Sequence, residues 1–230
     1  MTSIPDGPVP PEAAPGPLEG LRVIELASEW TCYAGKLLAD LGAEVVLVEP
    51  LEGAGQRRYG PFLEDRPDPE GSLWWWHYQT SKLGVTLDLD APADRSVLDA
   101  LLNEADIFLE GETSARLAAL ELDPARPDGL APGLIWVSLT TFGRHDPRSD
   151  EPATDLTLLA GGGPVWSCGY DDHALPPVRG GGNQAIQTGG LHAVTATLAA
   201  VLHRQATGRG QHVDVSIHAA LNVTTEEATF

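Results

Sequence analysis

Hydrophobic and polar positions follow two spacings in the first fifty residues. Residues 21–27 form a short aliphatic and β-branched run, residues 31–43 repeat apolar side chains at helical spacing, and residues 44–50 form a second apolar run. A strand, a helix and a strand joined by short connections are typical of a parallel β-α-β unit. We therefore predict that the ordered chain opens with two parallel strands and an intervening helix.

The same alternation continues to the end of the chain. It predicts further strands at residues 85–89, 106–109, 133–139 and 211–217, and helices at 91–105, 115–120 and 190–205. This order indicates an α/β fold with a Rossmann-like, doubly wound, mostly parallel sheet. Residues 52–80 and 142–182 are rich in glycine, proline and aspartate, and we predict loops there. In the second loop, Asp155 precedes an apolar run and is expected to cap a helix.

Composition narrows the class of protein. The chain has 14 Lys and Arg against 33 Asp and Glu, a formal charge of −19, which repels nucleic-acid backbones and anionic lipid surfaces. The first 17 residues contain six prolines and no basic or apolar segment, so we predict a disordered leader rather than a signal peptide. No run approaches the length of a membrane span. We expect a soluble, cytoplasmic protein without nucleic-acid or membrane partners.

The residue types for several common chemistries are missing from the expected places. Cys32 and Cys168 are far apart and outside any CxxC pattern, and the seven histidines show no HxH or HExxH spacing, so we predict reduced, packed cysteines and no metal site. The turn after the first strand has no GxGxxG motif, and no GxSxG elbow occurs. Dinucleotide binding and serine hydrolase chemistry are therefore not expected.

A cationic segment follows the second predicted strand. Gly53 and Gly55 bring backbone donors next to Arg57 and Arg58, a combination that suits a phosphate or a pyrophosphate group. The alternative is that both arginines are surface residues on a turn.

Five collinear segments carry a resemblance to a known family. They are PLEGLRVIEL at 17–26, LADLGAEVVLVEP at 38–50, RRYGP at 57–61, VTLDL at 85–89 and TGRGQHVDVS at 207–216. Together they resemble the family III CoA-transferases, the CaiB–BaiF group. The resemblance implies that residues 18–222 form that family's large domain and that residues 223–230 begin a linker toward a missing small domain. It also implies an oligomer, with acyl-CoA and a carboxylic acid as substrates and coenzyme A as the group transferred.

The family's catalytic aspartate has no counterpart here. In the family this carboxylate attacks the acyl-CoA thioester, forms a mixed anhydride and then an aspartyl-CoA thioester, and passes CoA to the incoming acid. Aligned without gaps from residues 190–193, its position is taken by Ile186, which cannot be acylated. The polar neighbours Asn183, Gln184 and Gln187 also lack a carboxylate.

Two further departures concern CoA and proton transfer. The family segment that contacts the CoA adenine appears here as residues 110–115, EGETSA, so Arg57, Arg58 and Lys82 are the remaining candidates for binding CoA phosphates. Related racemases use a His-Asp pair where this chain has Thr154 and Asp155.

Four hypotheses follow from the resemblance. The first is a nucleophile-lacking subunit, or half, of a hetero-oligomeric or tandem CoA-transferase with a catalytic partner. The second is an active transferase in which Glu29, Asp171 or Asp172 carries the acyl group. The third is an acyl-CoA racemase or isomerase, which the missing histidine disfavours. The fourth is a non-catalytic acyl-CoA binding module.

Overall fold

The structure is a computed structural model that describes residues 16–123, 131–168, 172 and 174–225. Its strands are β1 (Arg22–Leu26), β2 (Glu44–Glu49), β3 (Leu83–Thr86), β4 (Ile107–Glu110), β5 (Ile135–Thr140) and β6 (Gln211–Ser216). Its helices are α1 (Cys32–Asp40), α2 (Leu73–Tyr78), α3 (Pro92–Asn103), α4 (Ser114–Ala119), α5 (Asp155–Gly162), α6 (Pro164–Ser167), α7 (Gln184–Thr207) and α8 (Ile217–Thr224). The predicted leader falls almost entirely on residues 1–15, outside the described part.

All strand pairs in the described part are parallel. The strands form one six-stranded sheet in the order β3-β2-β1-β4-β5-β6. This is the strand order of a doubly wound Rossmann sheet, and the chain reverses direction across the sheet between β1 and β4. The predicted fold class is confirmed.

The core forms one layer on each face of the sheet. Val23, Val45 and Ile107 face a layer that also contains buried residues of α1, α5, α7 and α8. Ile24 and Phe108 face the opposite layer, which contains buried residues of α3 and α4. Because successive strand residues point to opposite faces, apolar runs without alternation are required here. This explains why the sequence shows continuous apolar strands.

Helices occur in both segments that we predicted to be loops. In the first, α2 forms because the Ser72 hydroxyl accepts a hydrogen bond from the Trp75 amide at 3.1 Å and thereby caps the helix. In the second, α5 and α6 form, and the N-cap of α5 is Thr154, with Asp155 as the first helical residue. The loop prediction was wrong at these places because capping residues outweighed the glycine and proline around them.

The start of α7 and the exposure of one cysteine also differ from the prediction. Helix α7 begins at Gln184, six residues earlier than predicted, so it includes the position of Ile186. Helix α8 continues to Thr224, so the predicted start of a linker at residue 223 lies inside a helix. Cys32 is buried as expected, whereas Cys168 is exposed and the prediction that it packs was wrong.

Helix α7 packs closely on α1. A side chain at Gly190 would have its Cβ 3.0 Å from a ring carbon of Tyr33 and 3.1 Å from the amide nitrogen of Ala34. Glycine therefore allows the two helices to approach. By length and composition α7 could cross a membrane, but half of its most apolar window is buried inside the fold, as in a core helix.

Candidate functional site

The candidate site lies at the carboxyl edge of the sheet. Ligands of open parallel sheets bind at this edge, close to the point where the strand order reverses. Here the turn that follows β1, residues 27–31, separates two regions. Ala27 lines a crevice beside the ends of the strands, and Trp30 packs in an aromatic cluster around Ile186.

Ile186, the residue at the aligned nucleophile position, is buried in the first turn of α7. Its cluster, called here the Ile186 cluster, is built mainly of aromatic rings, and its polar groups are two phenol hydroxyls, two indole N–H groups and one thiol. The members are Cys32, Tyr78 and Ile186, with Trp30, Tyr33 and Trp74 packed against them. The ring centroids of Trp74 and Tyr78 are 4.5 Å apart. The isoleucine is thus an integral part of a packed core and not a lone substitution in an open pocket.

The polar residues next to Ile186 are directed to a tyrosine. Asn183 Nδ2 donates to the Tyr78 hydroxyl at 3.2 Å, and Gln187 Nε2 donates to the same oxygen at 3.4 Å. Both amides therefore serve as partners for a buried phenol. The sequence predicted that Asn183 and Gln187 are not nucleophiles, and their hydrogen bonds to Tyr78 are consistent with that prediction.

Asp155 is a carboxylate at this site that the sequence predicted as a helix cap and as the counterpart of the aspartate in the racemase His-Asp pair. Its Oδ1 accepts a hydrogen bond from the amide nitrogen of Ala185 at 2.8 Å, one residue before Ile186. Its Oδ2 accepts from Arg179 Nη2 at 2.8 Å. Asp155 therefore anchors the start of α7 and is neutralised by a guanidinium. Ala185 is thirty positions from Asp155 in the chain and Arg179 is 24 positions from it, so no local motif could reveal these contacts.

Glu29 is half-buried between the two regions. The hydroxyl of Tyr59 donates to Glu29 Oε2 at 3.1 Å. Burial raises the pKa of the Glu29 carboxyl, and the neighbouring Asp155 carboxylate raises it further, while the Tyr59 hydrogen bond opposes both effects. Of the three alternative nucleophiles predicted from the sequence, Glu29 is the one that the structure places near the Ile186 cluster, because Tyr59 also packs on Trp74.

The other two alternatives are Asp171 and Asp172. Asp171 falls outside the described residues. Asp172 is exposed and accepts a local hydrogen bond from the amide nitrogen of Ala174 at 2.9 Å.

The thiol of Cys32 donates to the Glu29 carbonyl, and burial raises the pKa of this thiol well above its ordinary value. Cys32 is therefore kept as a neutral, packed thiol.

The second region, called here the strand-end crevice, has a volume of about 430 Å³. It is lined by the residues that end β1, β2 and β3 and by two residues that follow β4. Its ionisable side chains are Glu49, Glu52, Asp88, Asp90, Glu112 and Arg116. Burial and the adjacent Glu110 carboxylate raise the pKa of Glu112. Five acidic groups and one arginine make this region acidic.

Arg57 lies beside this crevice but is neutralised. Its Nε and Nη2 donate to the two carboxylate oxygens of Glu49 at 2.7 and 2.8 Å, and its Nη1 donates to Glu70 at 3.0 Å. Its guanidinium carbon lies 4.1 Å from the centroid of the Trp75 ring. Burial raises the pKa of Glu49, but the hydrogen bonds from Arg57 and from the Ala54 amide, together with the charge of Arg57, outweigh burial, so the pKa of Glu49 is lowered. Arg58 is exposed on the same turn.

Lys82 corrects one prediction. The Lys82 side chain is 1% exposed and its Nζ lies 2.7 Å from Oε2 of the fully buried Glu25. Nζ also donates to the carbonyl of Cys32 at 3.0 Å. The lysine is an internal counter-ion, because a carboxylate buried at the end of β1 requires one, and it does not face a ligand. A side chain at Gly35 would overlap Glu25, so this glycine makes room for the pair.

Glu110 begins the segment aligned with the family's adenine contacts. Its carboxylate is fully buried and accepts hydrogen bonds from Arg144, Trp136, Ser138 and the amide of Glu112. This residue therefore stabilises the interior of the sheet edge. Across the described residues, no three His, Cys, Asp or Glu side chains converge in a way that could bind a metal ion.

Comparison with known proteins gives one consistent family. Residues 18–229 match the family model described as CoA-transferase family III. The chain is 34% identical over 207 residues to the succinyl-CoA:(R)-benzylsuccinate CoA-transferase subunit BbsE of Thauera aromatica, covering 90% of this chain and 50% of that protein. It is 33% identical over 205 residues to the succinate–glutarate CoA-transferase of Agrobacterium fabrum, covering 87% of this chain and 51% of that one. The chain spans about half the length of these curated relatives.

Solved structures agree with the sequence matches. A CAIB/BAIF family protein from Brucella suis superposes with a TM-score of 0.84 at 28% identity, covering 93% of this chain and 56% of the other. A protein from Mycobacterium tuberculosis superposes with a TM-score of 0.81 at 28% identity, covering 93% of this chain and 58% of the other. The fold and the domain type are therefore those of the matched sequences.

Proposed function

Because the chain belongs to CoA-transferase family III, we propose that it is the nucleophile-lacking subunit, or half, of an enzyme that moves CoA from an acyl-CoA to a carboxylic acid. The observation that supports this proposal is the burial of Ile186, which the ungapped alignment from residues 190–193 assigns to the position of the acyl-accepting carboxylate. The catalytic aspartate would come from a partner chain or from a second half of a tandem protein. We also propose that this enzyme works in the cytoplasm.

Physical chemistry supports a non-catalytic role for this position. Acyl transfer to a carboxylate requires an ionised oxygen that reaches the thioester carbonyl. The Ile186 cluster offers rings and a neutral thiol in its place, and an ionised carboxylate without a partner is strongly disfavoured in such surroundings. The replacement of the carboxylate by Ile186 is therefore accompanied by apolar packing around this position. This packing supports a chain that functions without its own nucleophile.

One relative supports a two-chain arrangement. The Thauera aromatica protein is named as a subunit of a CoA-transferase, so a protein similar to this chain is part of a larger enzyme. Four of the relatives are named for succinate or succinyl-CoA. Succinyl-CoA is accordingly the first acyl donor to test.

A relocated nucleophile is the second candidate function, and Glu29 is the observation that favours it. The carboxyl lies at the carboxyl edge of the sheet, half-buried and next to the Ile186 cluster. In this alternative an ionised Glu29 oxygen would attack the thioester carbonyl, and the CoA thiolate would leave as the mixed anhydride forms. The raised pKa of Glu29 lowers the fraction of this carboxyl that is ionised, and the hydrogen bond from Tyr59 occupies one of its oxygens. We therefore rank it second.

No observation favours a racemase. Two opposed bases are needed to exchange a proton at carbon. Thr154 stands where that class has a histidine, and its hydroxyl caps α5 by accepting a hydrogen bond from the Thr157 amide at 3.3 Å. Asp155 is bound to Arg179 and to the α7 backbone.

Trapping with hydroxylamine tests the proposal. The purified chain is incubated with succinyl-CoA and with acetyl-CoA, then treated with hydroxylamine, which converts an enzyme-bound anhydride or thioester into a hydroxamate that peptide mapping locates. We expect no adduct on this chain. When the chain is co-expressed with its partner and copurified, we expect an aspartyl hydroxamate on the partner.

The Glu29→Gln variant is the matched control. A hydroxamate on Glu29 that is lost in this variant would establish the relocated nucleophile and refute the non-catalytic role. Binding of acyl-CoA with no acylation of any chain in the purified complex would instead indicate a binding module.

A further inference from the structure

We propose that the strand-end crevice excludes coenzyme A, so that in a two-subunit transferase CoA is bound by the catalytic chain alone. The second part of this statement rests on the function proposed above, whereas the first concerns this chain by itself. The resemblance places the CoA adenine at residues 110–115, and Glu112 of that segment lines the crevice. The residues present do not fit this ligand, for three reasons.

The first reason is the sign of the charge. Coenzyme A carries a diphosphate and a 3′-phosphate, so its site needs cations or free backbone donors. The crevice instead contains five carboxylates and one arginine. That arginine, Arg116, pairs with Asp90 at 2.5 Å, and Glu49 pairs with Arg57, so the acidic groups of the crevice still outnumber the cations beside it.

The second reason is that the nearby cations are already engaged. Arg57 binds both carboxylate oxygens of Glu49, and Glu49 is almost fully buried. Moving this guanidinium to a phosphate would leave a buried carboxylate unpaired, which costs several kcal/mol. Lys82 is enclosed with Glu25. Arg58 is exposed on the neighbouring turn, and one such arginine cannot offset the carboxylates of the crevice.

The third reason is that the backbone donors at the strand ends are occupied by carboxylates of this chain. The amide of Ala54 donates to Glu49 at 3.0 Å, and the amide of Glu112 donates to Glu110 at 2.8 Å. The amide of Asp88 donates to Asp94 at 2.8 Å, and the amide of Asp90 donates to Asp88 at 3.1 Å. In nucleotide crevices such amides bind phosphate oxygens. In this chain, side-chain carboxylates accept the hydrogen bonds of these amides.

Equilibrium dialysis of the full chain with radiolabelled acetyl-CoA at low ionic strength tests the proposal. We expect no saturable binding below about 1 mM. A Glu52→Lys and Glu112→Gln double variant makes the charge of the crevice more positive by three units. We expect it to bind acetyl-CoA at least about tenfold more tightly than the wild type. Glu52 is exposed and Glu112 half-buried, so both changes are compatible with folding, which circular dichroism and urea unfolding would verify.

The matched control carries the same charge change at the opposite edge of the sheet. Glu19 and Glu104 line a separate surface depression at the amino ends of the strands, and Glu19→Lys with Glu104→Gln should leave acetyl-CoA binding unchanged. Saturable binding by the wild type, or an equal response of the two double variants, would overturn the proposal. Either result leaves the nucleophile proposal intact, because that proposal is decided by acylation and not by binding.

Discussion

The Ile186 cluster and the strand-end crevice begin in the same turn of the chain and differ in their physical character. The cluster is closed and filled with aromatic rings, whereas the crevice is open and lined by carboxylates. Both lie at the carboxyl edge of the sheet, where open parallel sheets bind their ligands. In the function proposed above, the packing of the cluster disfavours an acylated carboxylate, and the charge of the crevice disfavours CoA.

This difference has a consequence for reversibility. A packed core resists any change of volume or polarity, because its neighbours cannot hydrate a new charge. A solvated surface tolerates a change of charge with little effect on folding. We therefore expect substitutions in the Ile186 cluster to alter stability strongly, and substitutions in the strand-end crevice to alter ligand binding while stability is nearly constant.

The largest expected effect is that of restoring a carboxylate at residue 186. The Ile186→Asp variant should lower the free energy of unfolding by about 3–5 kcal/mol, because it removes a buried side chain and introduces an unpaired carboxyl. The new carboxyl would have a raised pKa in the folded state. Its penalty is therefore largest at neutral pH and decreases as the pH falls toward the carboxyl's unfolded-state pKa. Urea unfolding at two pH values measures both effects.

The matched control for this variant is Ile186→Val. It removes one methylene and keeps the site apolar, so the loss should be about 0.5–1.5 kcal/mol and independent of pH. Equal losses in the two variants would contradict the description of the cluster as closed to charge. Acylation of the introduced aspartate by succinyl-CoA would show that the site still admits substrate.

The internal ion pair beneath the cluster should give the next largest effect. Lys82→Met leaves Glu25 without its counter-ion, and we expect a loss of about 3–5 kcal/mol in the free energy of unfolding. Burial already raises the pKa of Glu25, and removal of Lys82 raises it further. An acid with a raised folded-state pKa destabilises the fold as the pH rises, so the loss should be greater near pH 8 than near pH 5.

A double variant distinguishes this from a simple packing defect. Glu25→Gln combined with Lys82→Met removes both charges and should recover most of the lost stability. If the double variant is as unstable as Lys82→Met alone, the lysine stabilises the fold through its hydrogen bond to Cys32 and not through Glu25.

At the boundary between the two regions, Glu29 should show an intermediate effect. Its pKa is raised, so its ionisation lowers the stability of the folded state as the pH rises. Glu29→Gln should therefore gain stability relative to the wild type between acidic and neutral pH, on the order of 0.5 kcal/mol because the group is half-exposed. Tyr59→Phe removes the hydrogen bond that opposes this shift, and it should raise the pKa of Glu29 further in a carboxyl titration followed by NMR. No change would mean that the Tyr59 contact is not maintained in solution.

The sequence predicted the sheet because its signals are local. Apolar runs such as residues 44–50 show a buried parallel strand within a few residues, and the structure places β2 at Glu44–Glu49. The assignment of Ile186 to the nucleophile position is also a local prediction, since it depends on a short spacing before residues 190–193. Predicting these features requires no knowledge of tertiary contacts.

The residues that define the electrostatics of the site could not be predicted in the same way. Lys82 and Glu25 meet through the packing of β3 beside β2 and of α1 over β1, and their side chains are fifty-seven positions apart in the chain. The strand-end crevice combines residues that follow four different strands. Arg57, next to a glycine-containing turn, therefore suggested a phosphate site, although its guanidinium binds the carboxylate of Glu49.

The smallest expected effect belongs to the crevice and provides the counterpart to Ile186→Asp. Glu52→Lys changes an exposed side chain in a chain with a net charge of −19, so the free energy of unfolding should change by less than about 0.5 kcal/mol, with any gain confined to low salt. A larger loss in urea unfolding would show that the acidic groups of the crevice stabilise the fold through contacts. A near-zero change would show that the charge of this edge can vary independently of folding, which the aromatic packing around Ile186 does not allow.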